Sequence, residues 1–368
     1  MDDTGQSLHC RACGGPHTKS ISLTNFFLPE KDPALWTDGF CSDCGSVSHF
    51  SRPLTSVITY HDSAYRDSGH TVAPPVSLPW STVTFERHRH ISEILSPYLQ
   101  QLTRQAERPL QHLDYGGYNG FMSFGLKQVF DLDSTVADLD PRGLAIAVAL
   151  NMNVIDLTTS ILPDNSFDVV TAVQVVEHIE DPLSSLRSIL ESMIPTGGVL
   201  YCEVPNVLKF PTRDPAHYSA FSPRGLHDLF ARSGFNILEM GFCTTPSVAT
   251  AFTWPYFSPK EIIYLIGTNL GSTFTSQQND TRKYIDKVLA DSDSLDYSAF
   301  QRHLHSSGAR LGLRNSTYYA ARGAKAVLVN LVKALISLLL LIVPVTGIRN
   351  CITRVFTRSK RLAAMRSS

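Results

Sequence analysis

The sequence predicts an α/β protein built on a doubly wound, mostly parallel sheet. Three observations predict it. Short apolar runs alternate with helix-like segments between 85 and 245, the runs end in Asp or Gly, and 43% of the 368 residues are hydrophobic against 18% charged. Such alternation is typical of parallel sheets covered by helices on both faces. The hydrophobic share is large enough for a sizeable core and excludes wholesale disorder.

The predicted elements follow one another in a regular order. An amphipathic helix covers about 85–108, where apolar residues recur at helical spacing and Pro97 is expected to kink or split it. A helix after Ser222-Pro223 ends at Gly234, because Ser caps well, Pro suits the first position and Gly terminates. The elements between are strands 110–113, 135–137, 153–155, 167–173 and 199–204 and helices 121–130, 143–150 and 183–194.

Changes in composition divide the chain into two predicted domains with flanking parts. A cysteine-rich domain over 1–69 is followed by a linker over 70–84, whose prolines are expected to block helix and central strand. The alternating region covers 85–245, an accessory or substrate region covers 246–322, and an apolar and basic segment covers 323–368. The region 246–322 has too weak a pattern for element predictions.

Four of the seven cysteines form two matching pairs near the start of the chain. Cys10 and Cys13 are followed by Gly, as are Cys41 and Cys44 after an interval of 27 residues. Two such pairs complete a tetrahedral zinc site, and four sulfur ligands leave no position for a catalytic water, so the predicted Zn²⁺ is structural. The alternatives are an iron-sulfur cluster or unrelated cysteine pairs. The nearby His49 is expected at the surface rather than on the metal.

Acids and glycines follow three successive predicted strands. In open α/β sheets ligands bind beyond the carboxyl ends of the strands, where glycines let the backbone approach a nucleoside and carboxylates accept ribose hydroxyls. The alternative is that each acid caps a helix or begins a turn. No GxxxxGK[ST] motif occurs, so a phosphate-transfer P-loop is not predicted. The residues in question are Asp114, Gly116, Gly117, Gly120, Asp138, Asp140, Asp156 and Leu157.

In these segments the sequence resembles the class I S-adenosylmethionine-dependent methyltransferases over roughly 85–242. The resemblance implies a Rossmann-like fold with S-adenosyl-L-methionine as cofactor. Asp114, Gly116 and Gly120 would shape the cofactor turn, Asp138 would hold the ribose and Asp156 the adenine. Gly117, Asp140, Leu157 and Val173 complete the predicted cofactor site. The motifs are LDYGGYNG, VADLDP, LPDNSFDVV, VVEHIEDP, PTGGVLYCEVPN and HYSAFSPRGLHDLFARSGF.

Two further features qualify the resemblance. With the cysteine pairs, the chain looks like bacterial members that carry an N-terminal zinc-binding domain, some of which methylate sugars. Tyr118 stands where the family has glycine, and we expect its phenol to stack on or crowd the cofactor. This departure leaves a re-shaped pocket or an inactive relative as alternatives. A nicotinamide dehydrogenase shares the glycines and one acid, but SFDVV and EHIEDP match the methyltransferase pattern better.

The predicted catalytic residues are His178, His217 and the supporting Glu177. Methyl transfer from a sulfonium chiefly requires alignment of the acceptor and exclusion of water. A base is needed only if the acceptor keeps its proton, and a neutral imidazole is available for this near pH 7. The alternative for each histidine is a hydrogen-bonded residue that shapes its loop.

The end of the chain is apolar and then basic. Twelve Lys or Arg and no acid lie between Tyr297 and Ser368. The apolar stretch 326–348 is interrupted by Asn330 and Lys333, so it predicts an interfacial or re-entrant element rather than a full span. A helix packed on the protein is the alternative. The cations favour an anionic membrane surface.

These observations lead to one functional hypothesis and two alternatives. The start of the chain has no apolar signal region, so we expect a cytoplasmic protein with peripheral contact at the inner face of the membrane. The acceptor would be a sugar, sugar nucleotide or lipid-linked saccharide of polysaccharide biosynthesis. The alternatives are a catalytically silent zinc-containing binding module and an RNA methyltransferase. Nucleic acid is the less favoured partner because the tail lacks interleaved aromatic residues.

Overall fold

A computed structural model of the chain describes residues 9–16, 19–21, 24–25, 37–51, 78–209, 212–213, 216–243, 262–269, 285–286 and 288–289. The chain divides into two compact units, 1–308 and 309–368, and all of the described residues lie in the first. The predicted apolar element at 326–348 lies outside the described residues. Within the described ranges, no helix has the length and apolar character needed to cross a membrane.

The described residues of the N-terminal part, within 9–51, form two cysteine turns and four short strands. In the turns, the backbone N–H groups of Gly14 and Gly45 donate to the carbonyl oxygens of Cys10 and Cys41, each over 2.8 Å. Matching CxxCG sequences therefore fold into matching turns. The strands are β1 (Lys19–Ile21), β2 (Thr24–Asn25), β3 (Thr37–Phe40) and β4 (Val47–Ser51), with β3 antiparallel to both β1 and β4.

The remainder of the described chain alternates strands and helices, as the sequence predicts. Asp140, Asp181 and Ser222 cap three of the helices, and each is followed by Pro at the first helical position. In chain order the elements are α1 (Leu78–Gln105), β5 (Leu110–Tyr115), α2 (Phe121–Lys127), β6 (Leu132–Asp138), α3 (Pro141–Ala149), β7 (Asn153–Asp156), β8 (Val169–Val173), α4 (Pro182–Ser192), β9 (Val199–Pro205), β10 (Thr212–Arg213), β11 (Ser219–Ala220), α5 (Pro223–Ser233), β12 (Asn236–Cys243) and β13 (Ile262–Thr268).

The main sheet has seven strands in the spatial order β12-β13-β9-β8-β5-β6-β7. The five strands from β9 to β7 are parallel, and β13 is antiparallel to its neighbours β9 and β12. The predicted Rossmann-like, doubly wound and mostly parallel fold is therefore confirmed. The strand order reverses direction between β5 and β8, and in such sheets this switch point opens a crevice beyond the carboxyl ends of the strands.

Three local predictions differ from the structure. Helix α1 begins at Leu78, inside the predicted linker, because Pro79 lies in the first turn, where a missing N–H costs no helical hydrogen bond. The same helix continues past Pro97 as one element instead of splitting there. Strand β13 comes from the region 246–322, for which the sequence analysis predicts no element. It lies between β9 and β12, where all seven of its residues are buried.

The two larger apolar cores of the described residues lie against the main sheet. One contains α1 and α2 side chains with Val169, Val199 and Tyr201, and the other contains α4 and α5 side chains with Val170 and Leu200. Neighbouring strand residues thus alternate between the two cores, as side chains of a strand must. Three of the four paired cysteines, Cys10, Cys41 and Cys44, belong to the α4–α5 core, so the cysteine turns are packed on the sheet domain.

The cysteine turns are also joined to the sheet domain by strand pairing and by hydrogen bonds. β11 pairs antiparallel with β4, and the backbone N–H of His49 donates to the carbonyl oxygen of Tyr218 over 2.9 Å. Arg11 Nη1 donates to the same oxygen over 2.9 Å and to the carbonyl oxygen of His49 over 2.7 Å. The expectation that His49 lies at the surface is wrong, because it is 1% exposed and its Nδ1 is 2.6 Å from Asp38 Oδ1.

Ser222 connects the beginning of α5 to the second cysteine turn. Its hydroxyl oxygen accepts from the backbone N–H of Gly225 over 2.9 Å, which caps the helix, and its hydroxyl hydrogen is donated to the carbonyl oxygen of Cys44. Its backbone N–H donates to Ser46 Oγ over 3.0 Å. One fully buried side chain therefore serves both as a helix cap and as a link between the two parts.

A chain of buried polar side chains crosses three strands beneath the carboxyl edge of the sheet. Thr171 Oγ1 donates to Asp114 Oδ1 over 2.9 Å, so the hydroxyl has no second hydrogen and accepts from His112 Nε2 at 3.0 Å. Ser134 Oγ then donates to His112 Nδ1 over 3.1 Å. Burial raises the pKa of Asp114 to about 6 and lowers the pKa of His112 to about 3.

The double role of Ser222 can be tested by comparing it with a residue whose side chain only caps a helix. Ser222→Ala should reduce the unfolding free energy by about 2 to 4 kcal/mol, since it removes a cap and leaves the buried Cys44 carbonyl oxygen without this donor. Asp181→Ala, which removes only the cap of α4, should cost about 1 kcal/mol. Denaturant unfolding of both variants measures the difference, and equal losses would contradict the role of Ser222 as a link.

The burial of Asp114 predicts a pH-dependent stability difference. The raised pKa makes the folded state bind more protons than the unfolded state between pH 3.8 and about 6, so this contribution to stability is lost as the pH rises through that window. Relative to wild type, Asp114→Asn should therefore gain about 3 kcal/mol in unfolding free energy between pH 4 and pH 7. His112 is present in both proteins, so its opposite contribution cancels. Denaturant unfolding at several pH values measures the difference, and a pH-independent difference would show that Asp114 ionises normally.

Candidate functional site

The turn after β5, which contains Gly116 and Gly117 and is called the glycine turn below, brings the backbone close to two neighbouring side chains. Gly116 has φ +70° and its N–H donates to the carbonyl oxygen of Ala137 over 2.7 Å. A Cβ on Gly116 would collide with Val175, and one on Gly117 would lie 2.6 Å from Asp114 Oδ2. Glycine is required at both positions by these close approaches. The predicted Gly120 follows as the residue preceding α2, with φ +73°.

Asp114 lies underneath this turn. It is 2% exposed, and besides the bond from Thr171 it accepts a hydrogen bond from Ser123 Oγ over 2.7 Å. The burial that raises its pKa also separates the carboxyl group from the crevice. Asp114 is therefore placed to hold the shape of the turn, which is the role that the resemblance implied.

Asp138 occupies the corresponding position at the end of β6. Its Oδ2 accepts from the backbone N–H of Tyr118 over 2.9 Å, and its Oδ1 accepts from that of Asp140 over 2.8 Å. Burial raises the pKa of Asp138. A carboxylate has about four acceptor sites, so the backbone donors, which also include Leu139, fix its orientation without using all of them.

The other two predicted acids have local hydrogen bonds. Asp140 caps α3 by accepting from the N–H of Arg142 over 3.0 Å and also bonds Arg142 Nε at 3.0 Å, so the capping alternative describes it better than ligand binding. Asp156, at the end of β7, accepts from the N–H and the hydroxyl of Thr158, and the hydroxyl bond is the larger cause that lowers its pKa. The N–H of Leu157 is donated to the carbonyl oxygen of Asp138 over 3.0 Å.

Tyr118 adopts the backbone conformation that glycine would adopt more easily. Its φ is +46°, and its ring contacts Gly143 at the beginning of α3. The family's preference for glycine at this position thus has a backbone reason. The ring lies against α3 in the structure, and its expected stacking on the cofactor stays a prediction.

The three predicted catalytic residues, Glu177, His178 and His217, lie together beyond the end of β8 and are called the histidine cluster below. Glu177 and His178 belong to a short 3-10 turn after β8, and His217 immediately precedes Tyr218, whose N–H donates to the carbonyl oxygen of Glu177 over 2.7 Å. The imidazole rings of His178 and His217 have centroids 4.5 Å apart at 86°. One carboxylate oxygen of Glu177, which is 1% exposed, and one nitrogen of each histidine lie within 4.8 Å of one another.

The backbone between β8 and the 3-10 turn brings this cluster near the glycine turn. Val173 ends β8, and Val175 packs on Gly116 only two residues before Glu177. Gln174, which the sequence analysis missed, has φ +56°, and its N–H donates to the carbonyl oxygen of Glu203 over 2.8 Å. Its position directly after a predicted strand end was the only available signal.

Sequence reasoning also missed the roles of His112, Thr171 and Ser134. All three are buried polar residues inside apolar strands. A histidine or threonine within an apolar strand was a signal for a cross-strand hydrogen bond. Its partner, however, depends on the order of the strands in the sheet, which cannot be read from the sequence.

The four paired cysteines converge as the zinc prediction requires. Sγ of Cys10 is 3.6 Å from Sγ of Cys44, and Sγ of Cys13 is 3.5 Å from Sγ of Cys41. Ligands of a tetrahedral zinc with Zn–S bonds of about 2.3 Å would be about 3.8 Å apart, whereas bonded disulfide sulfurs are about 2.0 Å apart. The donor set therefore fits a closed Cys₄ zinc site.

The part of the chain that contains the glycine turn and the histidine cluster is similar to known proteins. Residues 85–240 match the family model described as a methyltransferase domain. Phosphoethanolamine N-methyltransferase 1 of Arabidopsis thaliana is 30% identical over 141 residues, which cover 35% of this chain and 28% of that protein. Ubiquinone biosynthesis O-methyltransferase of Pseudomonas fluorescens is 28% identical over 130 residues, covering 32% and 55%. The chain thus spans less than two thirds of these relatives.

Solved structures of similar proteins include one with bound S-adenosylhomocysteine. The Burkholderia thailandensis 1,6-didemethyltoxoflavin-N1-methyltransferase, with bound 1,6-didemethyltoxoflavin and S-adenosylhomocysteine, has 16% identity and a TM-score of 0.41, covering 65% of this chain and 96% of that one. A Thermotoga maritima S-adenosylmethionine-dependent methyltransferase has 17% identity and a TM-score of 0.39, covering 58% and 99%. Residues 85–240 of this chain are therefore similar to methyltransferase domains.

Proposed function

We propose that the chain binds S-adenosyl-L-methionine at the glycine turn and transfers its methyl group to a small polar acceptor held at Glu177, His178 and His217. The observation that carries the proposal is the contact of Gly116 with Val175. This contact brings the turn for the cofactor and the segment with the histidine cluster to the same switch point of the sheet. A cofactor in the crevice would therefore lie beside groups that can orient an acceptor.

The residues of the first three strand ends would hold the nucleoside. Asp138, already oriented by two backbone N–H groups, would accept the ribose hydroxyls, and Asp156 would accept from the exocyclic amine of adenine. The close-packed glycines would allow the backbone to approach the cofactor. When bound, the cofactor supplies a methyl group activated by a positively charged sulfur.

The histidine cluster would position the acceptor and assist the loss of its proton. Two imidazole rings and a buried carboxylate lie within reach of one acceptor atom. Such groups provide general base catalysis when the acceptor is a hydroxyl or an ammonium group. The acceptor class follows from the resemblance to sugar-methylating bacterial enzymes, so a sugar, sugar nucleotide or lipid-linked saccharide is our proposed substrate. The phosphoethanolamine and quinone-precursor enzymes among the relatives make other polar small molecules the second candidate.

The first test concerns the cofactor. Asp138→Ala should weaken binding of S-adenosylhomocysteine by about 1 to 3 kcal/mol in calorimetry, because a charge-assisted hydrogen-bond acceptor is lost. Asp133→Ala is the matched control, since Asp133 lies at the opposite end of β6, where it accepts from Asn153 Nδ2 over 3.2 Å at the exposed surface. Equal affinities for all three proteins would refute the cofactor site at this edge.

The second test concerns transfer. Wild-type protein should release S-adenosylhomocysteine with at least one member of a panel of nucleotide sugars, a catechol and phosphoethanolamine. His178→Ala should lower kcat by about 10²-fold to 10⁴-fold with unchanged cofactor affinity. His227→Ala, on the side of α5 and paired with Asp228, should retain full activity. Cofactor binding without turnover on any acceptor would favour the catalytically silent alternative.

A further inference from the structure

We propose that Glu177, His178 and His217 form a second metal site, which binds one divalent cation separately from the cysteine site. The ligand atoms come from two segments and all lie within 4.8 Å of one another. An ion placed about 2.1 Å from each of them would draw the three atoms closer together, because ligands at right angles are then about 3.0 Å apart. The side chains that would bind the ion are therefore grouped before it arrives.

The donor set indicates which ions the site would take. Two imidazoles and one carboxylate suit divalent transition ions such as Mn²⁺, Fe²⁺ and Zn²⁺, whereas Mg²⁺ and Ca²⁺ favour all-oxygen ligands. Three protein ligands also leave coordination positions open, which is the arrangement of a reactive rather than a structural metal site. The Cys₄ group has the opposite character, since its four thiolates close the coordination shell.

Burial adds a second argument for a cation. Glu177 is 1% exposed, and its charge contributes to the raised pKa of the buried Cys202 thiol, of which burial is the main cause. A divalent ion at the cluster would add positive charge beside this buried carboxylate, which favours its charged form. The neutral imidazoles supply the remaining ligands without adding charge of their own.

Both ligand segments are held in place by backbone contacts. The N–H of His178 donates to the carbonyl oxygen of Val175 over 2.9 Å, and the N–H of Tyr218 donates to that of Glu177 over 2.7 Å. Arg11, between the cysteines of the first turn, bonds the Tyr218 carbonyl oxygen, so the cysteine turns fix the segment of His217. Rigid supporting contacts of this kind preserve metal affinity.

The bound ion would also determine which acceptor groups are methylated, and this inference rests on the proposed function. An acceptor oxygen bound at an open position loses its proton to solvent water more easily, because the cation stabilises the oxyanion. A lone pair of that oxygen then forms the bond to the methyl carbon, the carbon–sulfur bond breaks, and its electron pair remains on sulfur as a neutral thioether. With the ion bound, the imidazoles act as ligands, and solvent water replaces them as the base that the proposed function assigns to the metal-free cluster. The site therefore favours hydroxyl acceptors, above all those with a second oxygen that completes a chelate.

Binding of Mn²⁺ to the full-length, zinc-loaded protein tests the metal site. Electron paramagnetic resonance should count one bound Mn²⁺ per chain, because the thiolate site prefers softer ions. The affinity should fall at least about 100-fold in His178→Ala, His217→Ala and Glu177→Gln, since removal of a mere supporting contact already costs up to that much. His227→Ala should bind Mn²⁺ like wild type. Unchanged zinc content and S-adenosylhomocysteine affinity establish that each variant is folded.

Measurements on wild type keep the proposal testable if a variant fails to fold. Pulsed resonance spectra of bound Mn²⁺ should show coupling to two imidazole nitrogens. Absence of bound Mn²⁺, absence of that coupling, or undiminished binding by a folded His217→Ala variant would overturn the site. Bound Mn²⁺ without turnover on any acceptor would refute the proposed function and leave the site standing. Full turnover of a catechol after removal of this ion would refute the metal-bound acceptor.

Discussion

The pairing of β5 with both β6 and β8 is the constraint on which the candidate site depends. Because all three strands are parallel, their carboxyl ends lie at one edge, and because the chain turns away from β5 in opposite directions, a crevice opens there. The glycine turn and the 3-10 turn after β8 meet at this crevice through Gly116 and Val175. Any change in strand order would separate the acids from the histidines.

The cysteine turns have a mechanical connection to the same site. Arg11 and His49 bond the carbonyl oxygen of Tyr218, the residue after His217, and the hydroxyl of Ser222 bonds the carbonyl oxygen of Cys44. Zn²⁺ held by the four thiolates would perform no chemistry of its own, but it would stabilise the turns from which these bonds are made. The N-terminal part therefore contributes to the geometry of the histidine cluster.

The polar residues at the sheet edge lie at two depths. His112, Thr171 and Asp114 are fully buried and satisfy one another, which fixes the turn from below. Asp138 is less deeply buried, and its carboxylate accepts from the backbone N–H groups of Tyr118 and Asp140. Residues of one chemical type thus have different tasks, because their depth in the sheet differs.

The sequence by itself determined those features that depend on neighbouring residues. The Ser222 cap with its following proline, the CxxCG turns and the strand-ending acids are local patterns, and the structure contains them within a few residues of their predicted positions. Tertiary structure alone decided the place of β13, the burial of His49 and the meeting of His178 with His217. Those features require strand order and contacts between distant segments, for which no local periodicity exists.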